Sequence, residues 1–93
     1  MLFRSLNPTG DEALVLLANC HLDRGALDKA VTAAQQAIQT NASNAEAWLV
    51  VGAVQQQREH FGEARTAYEK YLKLAPKGRY AGEIRTILAS MPQ

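Results

Sequence analysis

Cysteine, proline and aromatic residues are all scarce in this chain, and each scarcity closes off a class of protein. Cys20 is the single cysteine among 93 residues, so no internal disulfide can staple the fold, and a reducing cytoplasm is the favoured compartment. No two Cys or His residues stand at metal-ligand spacing and no glycine-rich phosphate loop appears, so neither a metal nor another cofactor is expected. Cys20 and His21 are neighbours, which on a helix points them about 100° apart, and they cannot act as nucleophile and base without further partners. They read as a buried thiol beside a boundary imidazole, His60 as a solvated turn residue, and Glu59 and Glu63 as solvent-facing charges. No catalytic activity is expected.

Long hydrophobic runs are missing too. The longest, Ala13–Ala18, falls far short of the roughly 20 residues that cross a bilayer, and Met1–Leu6 lacks a charged stretch followed by an apolar one, so neither membrane insertion nor a signal peptide is expected. Neither sign of charge dominates: 10 Lys+Arg face 9 Asp+Glu, which leaves no electrostatic footprint for nucleic acid or an anionic membrane. The chain is 47% hydrophobic but only 6% aromatic. Its apolar content leans on alanine, which suits helices packed closely. A chain of this length makes one domain with a modest core.

What the chain does have is a long-range echo. Glu12 and Glu46, Ala13 and Ala47, Arg24 and Arg58, Ala30 and Ala64, and Ala33 and Ala67 each stand 34 apart, a period of helical repeats. Helical spacing fits both copies: Leu14, Leu17, Ala18 and Leu22 in one first helix, Trp48, Val51, Gly52 and Val54 or Gln55 in the other. Thr9 and Ser43 each precede a glutamate by three, matching the capping-box pattern at both starts. Short turns at Arg24-Gly25-Ala26 and Arg58-Glu59-His60 lead into second helices. Their expected buried stripes are Leu27, Ala30, Val31, Ala34, Ala37 and Ile38, then Phe61, Ala64, Ala67, Tyr68, Tyr71 and Leu72. These helices end near Thr40 and Ala75, where Asn41 and Pro76-Lys77-Gly78 stop propagation.

A fifth helix is predicted over Arg79–Ser90. Tyr80, Ile84, Ile87, Leu88 and Met91 form its apolar stripe, opposite Arg79, Glu83, Arg85, Thr86 and Ser90. One apolar and one polar face is what the terminal cap of a solenoid requires, and the chain end reads as a natural C-terminus. At the other end Pro8 lies 34 before Ala42 and 68 before Pro76, so residues 1–8 take the register of the last turns of an earlier second helix. The first helix is apolar on nearly every side and needs cover, part of which Leu2, Phe3 and Leu6 can supply.

These residues resemble the tetratricopeptide repeat family over essentially the whole chain. In the second copy Trp48, Gly52, Ala64, Tyr68 and Pro76 fill the family's bulky, small, small, aromatic and proline positions. The first copy is looser: Leu14, Ala18, Ala34 and Ala42 replace the aromatic, glycine, later aromatic and proline, while Ala30 and Ala37 fit. Tyr71 departs from the family's usual alanine, so its phenol is expected to push the capping helix outward or swing to an edge. The resemblance implies an all-α fold, a right-handed superhelical solenoid of two helix-turn-helix repeats (residues 11–44 and 45–78), a capping helix (79–91) and a remnant of a preceding helix (1–8).

The resemblance also implies a role. Family members bind proteins in a concave groove lined by the first helix of each repeat, and the corresponding positions here are Glu12, Val15, Asn19, Leu22 and Asp23, then Glu46, Leu49, Ala53, Gln56 and Gln57, with Glu83 closing one end. Such a surface fits a peptide or helix gripped mainly by Val15 and Leu49, with amide contacts from Asn19, Gln56 and Gln57. In the plainer alternative Val15 and Leu49 merely pack on their neighbours. A subset of the family clamps acidic chaperone tails with lysine, arginine and asparagine. Here Val15 and Val50 stand where that clamp needs lysine and asparagine, only Asn19 fits, and Glu12, Glu46 and Asp23 would repel such a tail. The expected function is therefore a non-catalytic interaction module, the C-terminal part of a larger scaffold or assembly protein. The alternative is a homodimer through an N-terminal face of Leu2, Phe3, Leu6, Ala13 and Leu16, with Cys20 beside it.

Overall fold

A computed structural model describes residues 10–91. Thr9, the remnant at residues 1–8 and the contacts expected of Leu2, Phe3 and Leu6 lie outside the described residues. The order is five helices: α1 (Asp11–Asp23), α2 (Leu27–Thr40), α3 (Ala45–Gln57), α4 (Phe61–Leu74) and α5 (Ala81–Ser90). No strand occurs among the described residues, and the fold is an all-α helical repeat. α1 pairs with α2, α3 with α4, and α3 also packs on α2, whereas α5 touches α4 over a much shorter stretch.

The two hairpin turns share one mechanism. Gly25 (φ 77°) and Glu59 (φ 62°) both adopt the left-handed conformation. In the first turn the Ala26 amide donates to His21 O at 2.8 Å and Gly25 to Leu22 O at 3.0 Å; in the second, His60 donates to Gln55 O and Glu59 to Gln56 O at the same two distances. This double bond pattern closes a helix by satisfying its last carbonyls. Glycine adopts the conformation freely in one turn, while glutamate does so at a steric cost in the other.

The expected capping box at Ser43 is corrected. The N-cap of α3 is Asn44, whose side chain accepts from the Ala47 amide at 3.2 Å, while Ser43 is drawn into a local turn by donating its amide to Asn41 Oδ1 at 3.1 Å. Asn44 also donates through Nδ2 to Asp11 Oδ2 at 2.8 Å, and Asn41 Nδ2 reaches the same oxygen at 3.2 Å. One loop therefore starts α3 and clasps the first residue of α1. Gly10 caps α1 without any side-chain bond.

Alanine makes the core. Ala18, Ala30, Ala33 and Ala34 pack with Val50 and Val54, so that α1, α2 and α3 meet without large side chains between them. Around α4 and α5 the filling is bulkier: Ala64, Tyr68, Tyr71, Ala81, Ile84 and Met91. Gly52 lets α4 come close, since a Cβ there would fall 2.5 Å from the Tyr68 ring. Several expected core residues are only half-buried, namely Leu27, Val31, Ile38, Trp48, Val51, Phe61 and Leu72, and Leu17 is exposed. The buried stripes run instead through smaller neighbours such as Ala33, Ala47 and Val50, because closely spaced helix axes leave room only for short side chains at the contact. Tyr71 does not swing to an edge. It is buried beneath the turn before α5, and its hydroxyl accepts from the Tyr80 amide at 3.1 Å.

A candidate docking cleft between the third and fifth helices

The sparse contact between α5 and its neighbours opens a cleft of about 300 Å³. Its walls are Glu46, Leu49, Val50 and Ala53 from α3, and Ile84, Ile87 and Glu83 from α5 with Tyr80 at its start; Tyr68 forms part of the floor, and Asn19 and Leu22 of α1 close the far side. Three bonds place α5. Tyr71 holds the Tyr80 amide, Arg85 Nη2 donates to Pro76 O at 2.8 Å, and Arg65 Nη2 donates to Met91 O at 3.3 Å. Gly78 is needed for the first of these, because a Cβ there would lie 2.7 Å from the Tyr71 hydroxyl.

The cleft is apolar below and acidic above. Leu22, Leu49, Ala53, Ile84 and Ile87 supply the apolar surface, while Glu46 and Glu83 are exposed and make no ion pair among the described residues. Arg79 lies over the Tyr80 ring at 5.9 Å from its centroid, a cation–π arrangement. The Tyr68 hydroxyl donates to Gln56 Oε1 at 2.7 Å, and burial pushes its pKa above the usual value of 10.0, so it serves as a neutral donor. Asp11 moves the other way: the amide of Asn44 first, then that of Asn41, holds its carboxyl below the ordinary 3.8.

Of the residues expected in the groove, Asn19, Leu22, Glu46, Leu49, Ala53 and Glu83 line this cleft. Glu12 instead borders an adjoining polar hollow with Glu46, Asp11 and Arg79. Val15 is corrected outright, being 4% exposed and packed with Leu14, Ala37 and Ala47; α1 rolls this side chain into its contact with α3. Gln56 is occupied by Tyr68, and Asp23 and Gln57 are exposed outside the cleft lining. Val50, Tyr68, Tyr80, Ile84 and Ile87 were not expected there. The 34-residue offset carries the signal for Tyr80 and Ile87, since it relates them to Glu46 and Ala53.

Among the described residues no group of His, Cys, Asp and Glu is placed to hold a metal ion, and no described helix is long and apolar enough to cross a membrane. Cys20 is exposed rather than buried, which corrects its expected place: it lies on the side of α1 that faces away from α2 and α3.

A family model described as anaphase-promoting complex, cyclosome, subunit 3 matches residues 2–71. The chain belongs to this family. Its units are repeats of the tetratricopeptide type, a class of interaction module that is generally non-catalytic. The family match spans α1 through most of α4 and stops short of α5. No curated protein matches the chain.

Proposed function

We propose that this chain is a non-catalytic interaction module that takes a peptide or helix of a partner protein into the cleft between α3 and α5, as part of a larger scaffold or assembly protein. The lining carries this reading. Leu22, Leu49, Ala53 and Ile87 give an apolar floor with a few polar groups at the edge, the makeup of a site that binds by burial and orients by polar contact. Membership in a family described as a subunit of a multiprotein complex supports it. The lone exposed thiol of Cys20 fits a reducing compartment such as the cytoplasm. To test the reading, a partner captured by cross-linking from cells expressing the full-length protein is purified and titrated calorimetrically. Leu49→Asp is expected to weaken binding by at least about tenfold, or about 1.4 kcal/mol, with the helical circular-dichroism signal intact. Unchanged affinity moves the site to another face.

A second reading, self-association, rests on Leu16. This residue is 69% exposed, whereas its counterparts at the 34-residue offset, Val50 and Ile84, are 2% and 3% exposed. α2 and α4 cover those two, and a second copy placed on α1 would cover Leu16, Ala13 and Cys20 in the same way. Light scattering over a concentration series decides the matter: a mass of one chain throughout sinks the dimer, and a dimer that Leu16→Glu dissociates supports it.

A further inference from the structure

On the side of α3 turned away from the cleft, Trp48 and Val51 floor a second groove. Two hollows meet over them: one of about 430 Å³ is walled by Gly62, Glu63, Thr66 and Ala67 of α4, and one of about 280 Å³ by Gln35, Ile38 and Gln39 of α2. The Trp48 indole is held in place by donating from Nε1 to Ala42 O at 3.2 Å, and Lys70 Nζ stands over its ring, 5.7 Å from the centroid. Thr66, Lys70 and Lys73 recur at i, i+4 and i+7, so they share one face of α4, and Lys77 follows in the turn. The 34-residue offset relates Lys70, Lys73 and Lys77 to Gln36, Gln39 and Ser43, so α2 carries no such cationic line. Among the described residues none of the three lysines makes an ion pair, not even with the exposed Glu69 beside them. The near-neutral total conceals this end of the chain: beyond Glu63, six Lys+Arg face two glutamates.

We infer that this outer groove takes an acidic segment of a partner protein, in which an aromatic or aliphatic side chain enters the hollows at Trp48 and Val51 while a neighbouring aspartate or glutamate pairs with Lys70 and Lys73. Charge complementarity fixes the sign. Glu63 stands seven positions before Lys70 and borders the same groove, so the ligand's carboxylates gather at one end and a uniform polyanion is turned away. The opposite wall points to the same ligand. Gln35 and Gln39 are exposed amides that both donate and accept, which suits the peptide groups of a protein chain, whereas a phosphate backbone calls for cations where this wall has none. A bilayer surface is too flat to fill the hollows. The groove shares no lining residue with the cleft between α3 and α5, so the inference goes beyond the function proposed above and stands independently of it.

Trp48 is the single tryptophan of the chain, so the groove carries its own fluorescent reporter. A random dodecapeptide library is panned against the full-length chain, and a tryptophan-free synthetic copy of the best peptide is titrated while Trp48 emission is followed. Wild type is expected to enrich peptides pairing an aromatic or aliphatic residue with aspartate or glutamate, and binding should shift the emission. Reversing both charges, Lys70→Glu with Lys73→Glu, is expected to weaken that peptide at least about tenfold. Lys70→Gln with Lys73→Gln should fall between, and Leu49→Asp in the cleft should leave the affinity unchanged. Thermal melts verify that each variant is folded. A selection that is empty, lacks acidic enrichment or yields only peptides lost on Leu49→Asp overturns the inference, as does equal binding to the double reversal or an unmoved emission. Mixed-sequence RNA or phosphatidylserine vesicles that bind through the same lysines while acidic peptides do not would overturn it too, by giving the cationic line to another class of ligand. The lysine variants leave the cleft residues untouched, so failure here does not remove the cleft reading.

Discussion

Gly52 and Tyr68 illustrate how narrowly single residues are specified here. With a Cβ at position 52 falling 2.5 Å from the ring, Gly52→Ala forces Tyr68 off its rotamer and strains its bond to Gln56. The helix-propensity gain of roughly 1 kcal/mol for replacing glycine is outweighed by overpacking, and a net loss of about 2 kcal/mol is expected in urea denaturation. Tyr71 carries a different burden. Its hydroxyl is the acceptor for the Tyr80 amide, so Tyr71→Phe keeps the ring and removes the bond, at an expected cost of about 1–2 kcal/mol. The resemblance to tetratricopeptide repeats marked Tyr71 as a departure, yet the direction of the phenol was not legible. Its partner is a backbone amide nine residues on, in a turn whose geometry depends on Gly78.

At the scale of elements, the helices were legible because both signals involved are local. Apolar spacing and turn residues placed α2 at Leu27–Thr40 and both hairpin turns where they are found. The start of α3 was less so, since Asn44 rather than Ser43 caps it, through contacts that also reach Asp11 across the hairpin. That clasp predicts a pH dependence. Asp11 holds its proton less tightly folded than unfolded, so the unfolded state binds more protons at low pH and stability rises with pH. The contribution is complete above the ordinary value of 3.8 and disappears as pH falls through the lower folded-state value. Thermal melts across this acid range should show a shallower loss for Asp11→Asn than for wild type. α5 offers a second prediction at this scale. It is anchored by contacts with α4 and three hydrogen bonds, so its amides should exchange with deuterium before those of α2 and α3, which are packed on more than one side. Equal protection would mean that the cleft wall is as firmly held as the core.

For the whole molecule, the residues that make the core and those of the cleft and the Leu16 face overlap little. The buried alanines and valines between α1, α2 and α3 hold the array together, while the exposed Leu16 face lies outside that core and the cleft borders it through Val50. Leu16→Glu is therefore expected to leave the unfolding free energy within about 0.5 kcal/mol of wild type, even where it changes the mass measured in solution. A large loss in thermal melts would mean that the face is already covered within the chain. The cleft itself was half legible. Its α1 and α3 residues follow from position within the repeat, but its α5 wall follows only from treating the terminal helix as another repeat.

The sequence by itself determined the period, the all-α class and the class of work, because a repeat is a pattern of local helices whose spacing is written in residue order. Only the tertiary structure decided which members of each apolar stripe are buried. Val15 turns inward and Leu16 outward by one step along the same helix, a choice set by which neighbouring helix is present to cover it. The same holds for the cleft, which exists because Tyr71 fixes the turn before α5 and α5 stands clear of α3.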